Sequence, residues 1–468
     1  MKTMQLNLFR LVMLTMGFII SLRSLPILAE TGWQQAFYLL IASIFFLLPV
    51  ALISAELSTG WPRAGGVYQW VKLALGDRMA FIAAWMLWVQ MFFGMVTIGS
   101  FIAAMIAYII NPALVNNHFY MAGVIIALYW VVTLLNLKGV RSASLISSIG
   151  FFIGVLLPFV MITGFGLAFY MGNQSTALPP FSWHKLLPDI TNIDQLSFIV
   201  GVIFTFTGIE VSSVHAKNVK NPQRNYPLSL LITIVLLMVI NIFGAFSIEM
   251  AEPRNQLNLA SGVMQTFSRF FQSEGIPWMI PVVAFMTAIG AFGQLSTWVL
   301  GPSKAMHQVA VDGFMPVWWH KTNENGVPVR FVFVQASMIS LIAMLYVVVP
   351  AVNQVFFMVL ILATILYSIT YLLLFISGIV LRYKYPDVER TYRVPGNLIG
   401  MWVLAGFGSI TVLFAIFISF FPPSSLHIET LFYSSFMGGG LLVFIAIPLL
   451  LYRCRKPEWK DTPAKNTM

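Results

Sequence analysis

Long, continuous apolar runs separated by short polar and charged stretches recur along the chain from residue 8 to residue 452. We read twelve of them, at about 8–29, 35–58, 79–110, 118–137, 145–171, 195–214, 227–250, 277–303, 329–350, 353–381, 398–421 and 430–452. About 20 apolar residues wound as a helix cross the ~30 Å hydrocarbon layer of a bilayer. The runs are continuous rather than alternating, which speaks for helices and against the period-two strands of a membrane barrel. The pattern therefore predicts an all-α polytopic membrane protein with twelve transmembrane helices. No separate soluble domain is visible, so residues 1–468 read as a single transmembrane domain. The end of the chain, 453–468, reads as a short, basic, mobile tail.

Composition agrees with the pattern. Of the residues, 59% are hydrophobic and only 9% charged. A soluble domain needs about a quarter of its residues charged to cover its surface. Arg10 interrupts the first apolar run and no clean small-residue cleavage site follows, so a retained first span is expected rather than a signal peptide. A single cysteine, Cys454, excludes disulfides within the chain and any multi-cysteine metal site. No metal or other cofactor is expected.

The net charge of +10 would suggest nucleic acid in a soluble protein. Orientation explains it better. With the N-terminus inside, twelve spans return the C-terminus inside. Of the 26 Lys and Arg, 22 then lie on the inner side, three (Lys185, Arg254 and Arg269) lie outside, and Arg23 falls within a span. The reverse orientation breaks the positive-inside rule almost everywhere. The expected setting is a plasma (bacterial inner) membrane with both termini cytoplasmic. The expected partners are the lipid bilayer and a small molecule, with no nucleic acid; homo-oligomerisation stays open.

The longest outer connections are about 172–194 and 251–276. The second contains LASGVMQTFSRFF, whose apolar positions 263, 264, 267, 270 and 271 have helical spacing. It reads as an amphipathic surface helix that covers the bundle, with a gate as the other role.

Two spans carry a break. The first contains TMGFIISLRSLP and the sixth GVIFTFTGIEVSS. Each has a central glycine, small polar neighbours and one ionisable residue, Arg23 or Glu210. An unwound turn frees backbone groups: N–H groups and partial positive charge at one end, carbonyls at the other. The first suits a carboxylate and the second an ammonium, so a facing pair makes a cradle for an α-amino acid. Glycine in a membrane helix also serves close packing, and either break alone is ambiguous. Breaks in spans 1 and 6 fit a five-plus-five inverted repeat. Residues 1–171 (spans 1–5) then face 195–381 (spans 6–10), with spans 11 and 12 (398–452) appended.

Several motifs resemble the amino acid–polyamine–organocation superfamily. GWPRAGGVYQW (60–70) resembles its segment after span 2. TFTGIEVSS (205–213) with NVKNPQRNYP (218–227) resembles its sixth span and following loop, and DGFMP (312–316) and NGVPV (325–329) its loop between spans 8 and 9. Together they run along most of the chain in the family's order. LNLASGVMQTF (257–267), STWVLGPSKAM (296–306) and YPDVERTYRVPG (385–396) are most similar to the glutamate:γ-aminobutyrate antiporter group. The resemblance implies the LeuT-type inverted-repeat fold, alternating access and amino acid exchange. It implies that Gly17, Ile20 and Ser21, around the first break, bind the substrate carboxylate through backbone N–H groups. Thr205, Phe206 and Thr207 would meet the ammonium and close over the substrate. Glu210 would link the site to gating or proton sensing, and Trp298 would face the substrate side chain.

Arg23 departs from that pattern, because the antiporter group is expected to carry an uncharged residue there. A central arginine costs at least ~2.5–3.5 kcal/mol on insertion scales, so it faces protein, water or substrate rather than lipid. Three roles fit. Arg23 binds an acidic substrate side chain with its fork of donors. Or it pairs with Glu210 or Glu30 as a gate or lock. Or it snorkels to an outer vestibule. The first role disfavours cationic substrates and tilts the reading towards acidic or neutral amino acids. Glu56 lies near a span end, where interfacial exposure is expected.

The function expected is a secondary active amino acid antiporter; the alternative is a proton-coupled amino acid permease of the same fold. An amino acid sensor is a different class, and the short tail leaves little to carry its signal. An intramembrane enzyme is disfavoured, since there is no H-E-x-x-H motif and no candidate catalytic dyad.

Overall fold

The computed structural model describes residues 7–61, 65–138, 150–172, 176–189, 193–210, 219–349 and 351–460. Outside them lie the expected start of the fifth span at 145–149, residues 62–64 of the 60–70 motif, residues 211–213 and 218 of the sixth-span motifs, and the tail from residue 461.

Each predicted span holds helix in its described part, and no β-strand occurs among the described residues. Among the described residues ten helices are long and apolar enough to cross a membrane on their own, from Gln34–Gly60 to Thr430–Arg453. The other two segments are interrupted. Leu8–Ile19 is followed by a separate short helix, Leu25–Ala29, and Ile193–Thr205 runs into a turn at 206–208. The third span, Asp77–Ile110, and the tenth, Val352–Lys384, run through the middle of the bundle and are largely enclosed. The twelfth instead exposes Leu431, Leu442 and Leu450 on its outer side. So broad an apolar perimeter is unstable against water and suits lipid.

Local sequence explains the irregular stretches. Ser43–Leu47 widens to a π turn just before Pro49. Proline has no N–H, so the carbonyl four residues back loses its helical donor. That carbonyl, on Phe45, accepts the Thr411 hydroxyl of the eleventh span at 3.3 Å. The fifth span repeats the device, with a π turn at Phe152–Leu156 before Pro158. Gly154 of this span lies directly on Gly290 of the eighth, where a Cβ on either would collide with the other's backbone.

At one end of the bundle, the basic face, the 60–70 motif continues into an amphipathic helix, Val67–Leu75, lying between the second and third spans. It docks on the end of the eighth span. Tyr68 Oη donates to Asp312 Oδ2 at 2.5 Å, and Lys72 Nζ reaches the same oxygen at 2.6 Å. Two motifs that sequence could only place in order are thus bonded to each other. Glu56 corrects an expectation. It is fully buried, not interfacial: Arg382 donates to both carboxylate oxygens, at 2.6 and 2.5 Å. The Val394 N–H donates at 2.7 Å, and Arg390 Nε lies 3.4 Å away. The two arginines, brought in by the tenth span and the loop after it, supply the counter-charge that lets a carboxylate sit there. The tail is corrected in part as well. Pro457–Trp459 forms a short helix, and Lys460 packs on Gly313, where φ is +95° and a Cβ would clash.

At the opposite face, Gly262–Ser273 forms the amphipathic helix with Val263, Met264, Phe267, Phe270 and Phe271 all buried. Phe271 and Phe270 pack on Phe165 and Phe169 of the fifth span, with centroids 5.2 and 5.3 Å apart. It covers the bundle there.

Candidate functional site

The interrupted first and sixth segments enclose a chamber with the third, eighth and tenth spans. In the first segment the helix ends at Ile19, and Ser21 is extended (φ −146°, ψ 133°) before a tight turn at Leu22–Ser24. Side chains compete with the helix for this backbone. The Ser24 hydroxyl donates to the Ser21 carbonyl at 2.9 Å, and the Arg23 N–H donates to the Ser21 hydroxyl at 3.4 Å. The break therefore falls at Ile20–Ser21, later than the glycine suggests. Gly17 is still helical, and Ile20 is buried at 4% exposure.

In the sixth segment the chain tightens after Thr205, with Phe206 N–H bonded to the Ile203 carbonyl and Thr207 N–H to that of Phe204. Gly208 then turns at φ +100°, a conformation side chains rarely adopt. Its N–H donates to the Tyr371 hydroxyl at 2.8 Å. Tyr371 in turn donates to Glu210 Oε2 at 2.8 Å, and Tyr367 donates to Glu210 Oε1. The two tyrosine rings stack at 4.6 Å. Trp298 of the eighth span lies over the turn, and its ring would be 3.1 Å from a Cβ on Gly208.

Ser21, Arg23, Thr205, Thr207 and Trp298 all line the chamber. Phe206 is fully buried and lines no part of it, and Glu210 sits behind Tyr367. Gln90, Gln294 and Tyr367 line it too and escaped the sequence reading. A lone glutamine inside an apolar helix, and two tyrosines four apart in YSITY, were the available signals. The space in the chamber open to water is about 50 Å³.

Arg23 is partly buried at the wall of this chamber. Its Nη1 donates to the Gly94 carbonyl at 3.3 Å and to Thr97 Oγ1, both on the third span. Its guanidinium lies 5.3 Å from the centroid of the Phe204 ring. Among the described residues no carboxylate forms an ion pair with it, neither Glu210 nor Glu30. No cluster of metal-ligating side chains occurs among the described residues either.

Towards the opposite face a wider vestibule of about 530 Å³ opens, lined by Glu30, Gln34, Arg254, Asn353 and His427 among others. Burial raises the Glu30 carboxyl to about 7, against the opposing pull of Arg254. Arg254 lies flat against Gly32, which leaves no room for a side chain there.

Residues 6–444 match the family model described as amino acid permease. An uncharacterised transporter of Legionella pneumophila is 35% identical over 447 residues, covering 95% of this chain and 96% of that protein. A glutamate/γ-aminobutyrate antiporter of Lactococcus lactis is 32% identical over 469 residues, covering 99% of this chain and 93% of the relative. More distant is a probable agmatine/putrescine antiporter of Lactococcus lactis, 27% identical over 380 residues, 79% of this chain and 78% of its own length. The many apolar helices and the chamber between two broken ones accord with this company of carriers, none of which is an enzyme. The chain belongs to the amino acid permease family, as a multi-pass membrane transporter of amino acids or amines.

Proposed function

We propose that this protein is a secondary active amino acid antiporter that exchanges acidic or neutral amino acids, glutamate-like against γ-aminobutyrate-like, by alternating access. The observation that carries the reading is the chamber walled by two helix breaks with Arg23 beside it. A guanidinium repels cationic substrates, so Arg23 favours the amino acid branch of the relatives over the polyamine branch. The two interrupted segments complete twelve crossings in one transport domain. Spans 1–5 and 6–10 form the inverted repeat, and the halves rock around the chamber. The basic face is cytoplasmic, with both termini on it, in a bacterial inner membrane.

Within the chamber the break at Ile20–Ser21, after the helical Gly17, takes the substrate carboxylate. The turn at Thr205–Thr207 takes the ammonium. Trp298 faces the substrate side chain, and Glu210 couples the site to gating through Tyr367 and Tyr371. A carboxylate so placed also favours the second reading, proton-coupled uptake on the same fold. Counterflow in proteoliposomes separates the two. For an exchanger, radiolabelled glutamate enters vesicles preloaded with amino acid about ten-fold or more faster than empty ones, because only the loaded carrier returns quickly. Equal rates with an inward proton gradient driving accumulation would instead establish the permease.

A further inference from the structure

We infer that Arg23 reads the distal carboxylate of the substrate, and that neutralisation of its guanidinium by this carboxylate is what permits the carrier to reorient. The inference rests on the exchanger reading above. It names the substrate class, amino acids that keep a carboxylate at the end away from the α-carbon, and it supplies the origin of the coupling.

Among the described residues, the other buried guanidinium groups meet their counter-charge. Arg382 and Arg390 share Glu56. Arg23 is treated differently. Its neighbours are a backbone carbonyl, a hydroxyl and an aromatic face, all of them uncharged. Both of its side-chain hydrogen bonds leave from Nη1. Guanidinium carries five N–H donors in a planar fork, so the rest of the fork remains for a carboxylate. The third span fixes its position: Thr97 accepts from Arg23 while donating to the Gly94 carbonyl at 2.7 Å, which holds both acceptors in place. Arg23 is thus oriented and cationic at the edge of the chamber, without an anion among the described residues.

A charge without a partner is tolerable while the chamber is open to water. It is costly when both ends close, since an unpaired charge then loses its bulk solvent. Any alternating-access cycle passes through such a closed state. A bound carboxylate offsets the cation at close range, where the low dielectric makes the attraction strong. An empty chamber, or one holding a substrate with an uncharged tail, leaves the guanidinium bare and the closed state disfavoured. The loaded carrier then crosses readily and the empty one does not, which is the condition for exchange. Glutamate and γ-aminobutyrate differ at the α-carbon but share the distal carboxylate, so both satisfy Arg23 and both can return the carrier.

The test uses the full-length protein in proteoliposomes. For wild type, radiolabelled glutamate uptake is measured against internal glutamate, γ-aminobutyrate or glutamine, and against empty vesicles. Internal glutamate and γ-aminobutyrate are expected to accelerate entry about ten-fold or more, and glutamine, isosteric but uncharged at its tail, about two-fold at most. Arg23→Gln is expected to lower the preference for glutamate over glutamine about ten-fold or more. It should also raise net efflux from preloaded vesicles relative to exchange. Arg23→Lys, which keeps the charge but not the fork, should retain part of both properties. The inference is overturned if glutamine drives wild-type exchange as well as glutamate does, or if Arg23→Gln keeps both the preference and the exchange-to-efflux ratio. Should neither variant give a monodisperse protein, the wild-type comparison of glutamate with glutamine decides alone. If no internal amino acid accelerates wild-type entry, the exchanger reading itself fails, an outcome distinct from exchange that ignores the distal carboxylate.

Discussion

Glu56 accepts from two arginine nitrogens and a backbone N–H while wholly shielded from solvent. Removing one member of such a buried set leaves the others uncompensated, at a cost of about 3–5 kcal/mol. Glu56→Gln should therefore lower the melting temperature of the solubilised protein by several degrees or abolish its folding; an unchanged melting curve would contradict that account. Sequence inspection misread this residue for a plain reason. Its proximity to a span end was visible, but Arg382 lies 326 positions away, and no local pattern announces the pairing. Arg23 was legible for the opposite reason, because a cation inside an apolar run is conspicuous without any knowledge of its neighbours. What it touches, Gly94 and Thr97, was not legible.

At the scale of elements, the two breaks were visible because glycine and small polar residues interrupt apolar helices. Their exact positions depended on finer chemistry. Gly208 marks the sixth-span turn itself, with φ +100°. Gly17 does not mark the first, since serine hydroxyls four and seven residues on take over the backbone bonds there. Gly208→Ala should thus be costly, combining a strained φ worth about 1–3 kcal/mol with crowding against Trp298. We expect the initial uptake rate at saturating substrate to fall about ten-fold for a loss of ~1.4 kcal/mol or more in the turn. Gly164→Ala, where no atom lies within 4 Å of the added methyl, is the control that should transport normally. Parallel losses in both variants would argue against a special role for the turn. The helix Val67–Leu75 escaped notice because it lies within a motif that reads as a loop, and only its docking on Asp312 explains its place.

For the whole molecule, helical content, the order of the spans and the amphipathic cover were available from hydropathy alone. The ties that close each face were not, since they join side chains from distant parts of the chain. On the face opposite the helix Val67–Leu75, Glu30 follows the first span and sits near Arg254, which follows the seventh. Burial raises its carboxyl to about 7, so the folded protein holds a proton that the unfolded chain releases near the ordinary value of about 4.3. The stability from this group is therefore complete at acid pH and fades as pH rises through 7. The melting temperature of wild type should fall between pH 4.5 and 7.5, and Glu30→Gln should flatten that slope. Glu252 is raised by burial as well and adds in the same sense, so a residual slope remains in the variant. A wild-type curve that rises over this interval would contradict the assignment.

The anchoring of Arg23 also bears on how the protein is made. Its acceptors lie 71 and 74 residues further along the chain. At about 5–20 residues per second, roughly 4–15 s separate the emergence of the guanidinium from that of the atoms that receive it. Until then the guanidinium carries the burial cost of at least ~2.5–3.5 kcal/mol without the two acceptors that offset it in the folded protein.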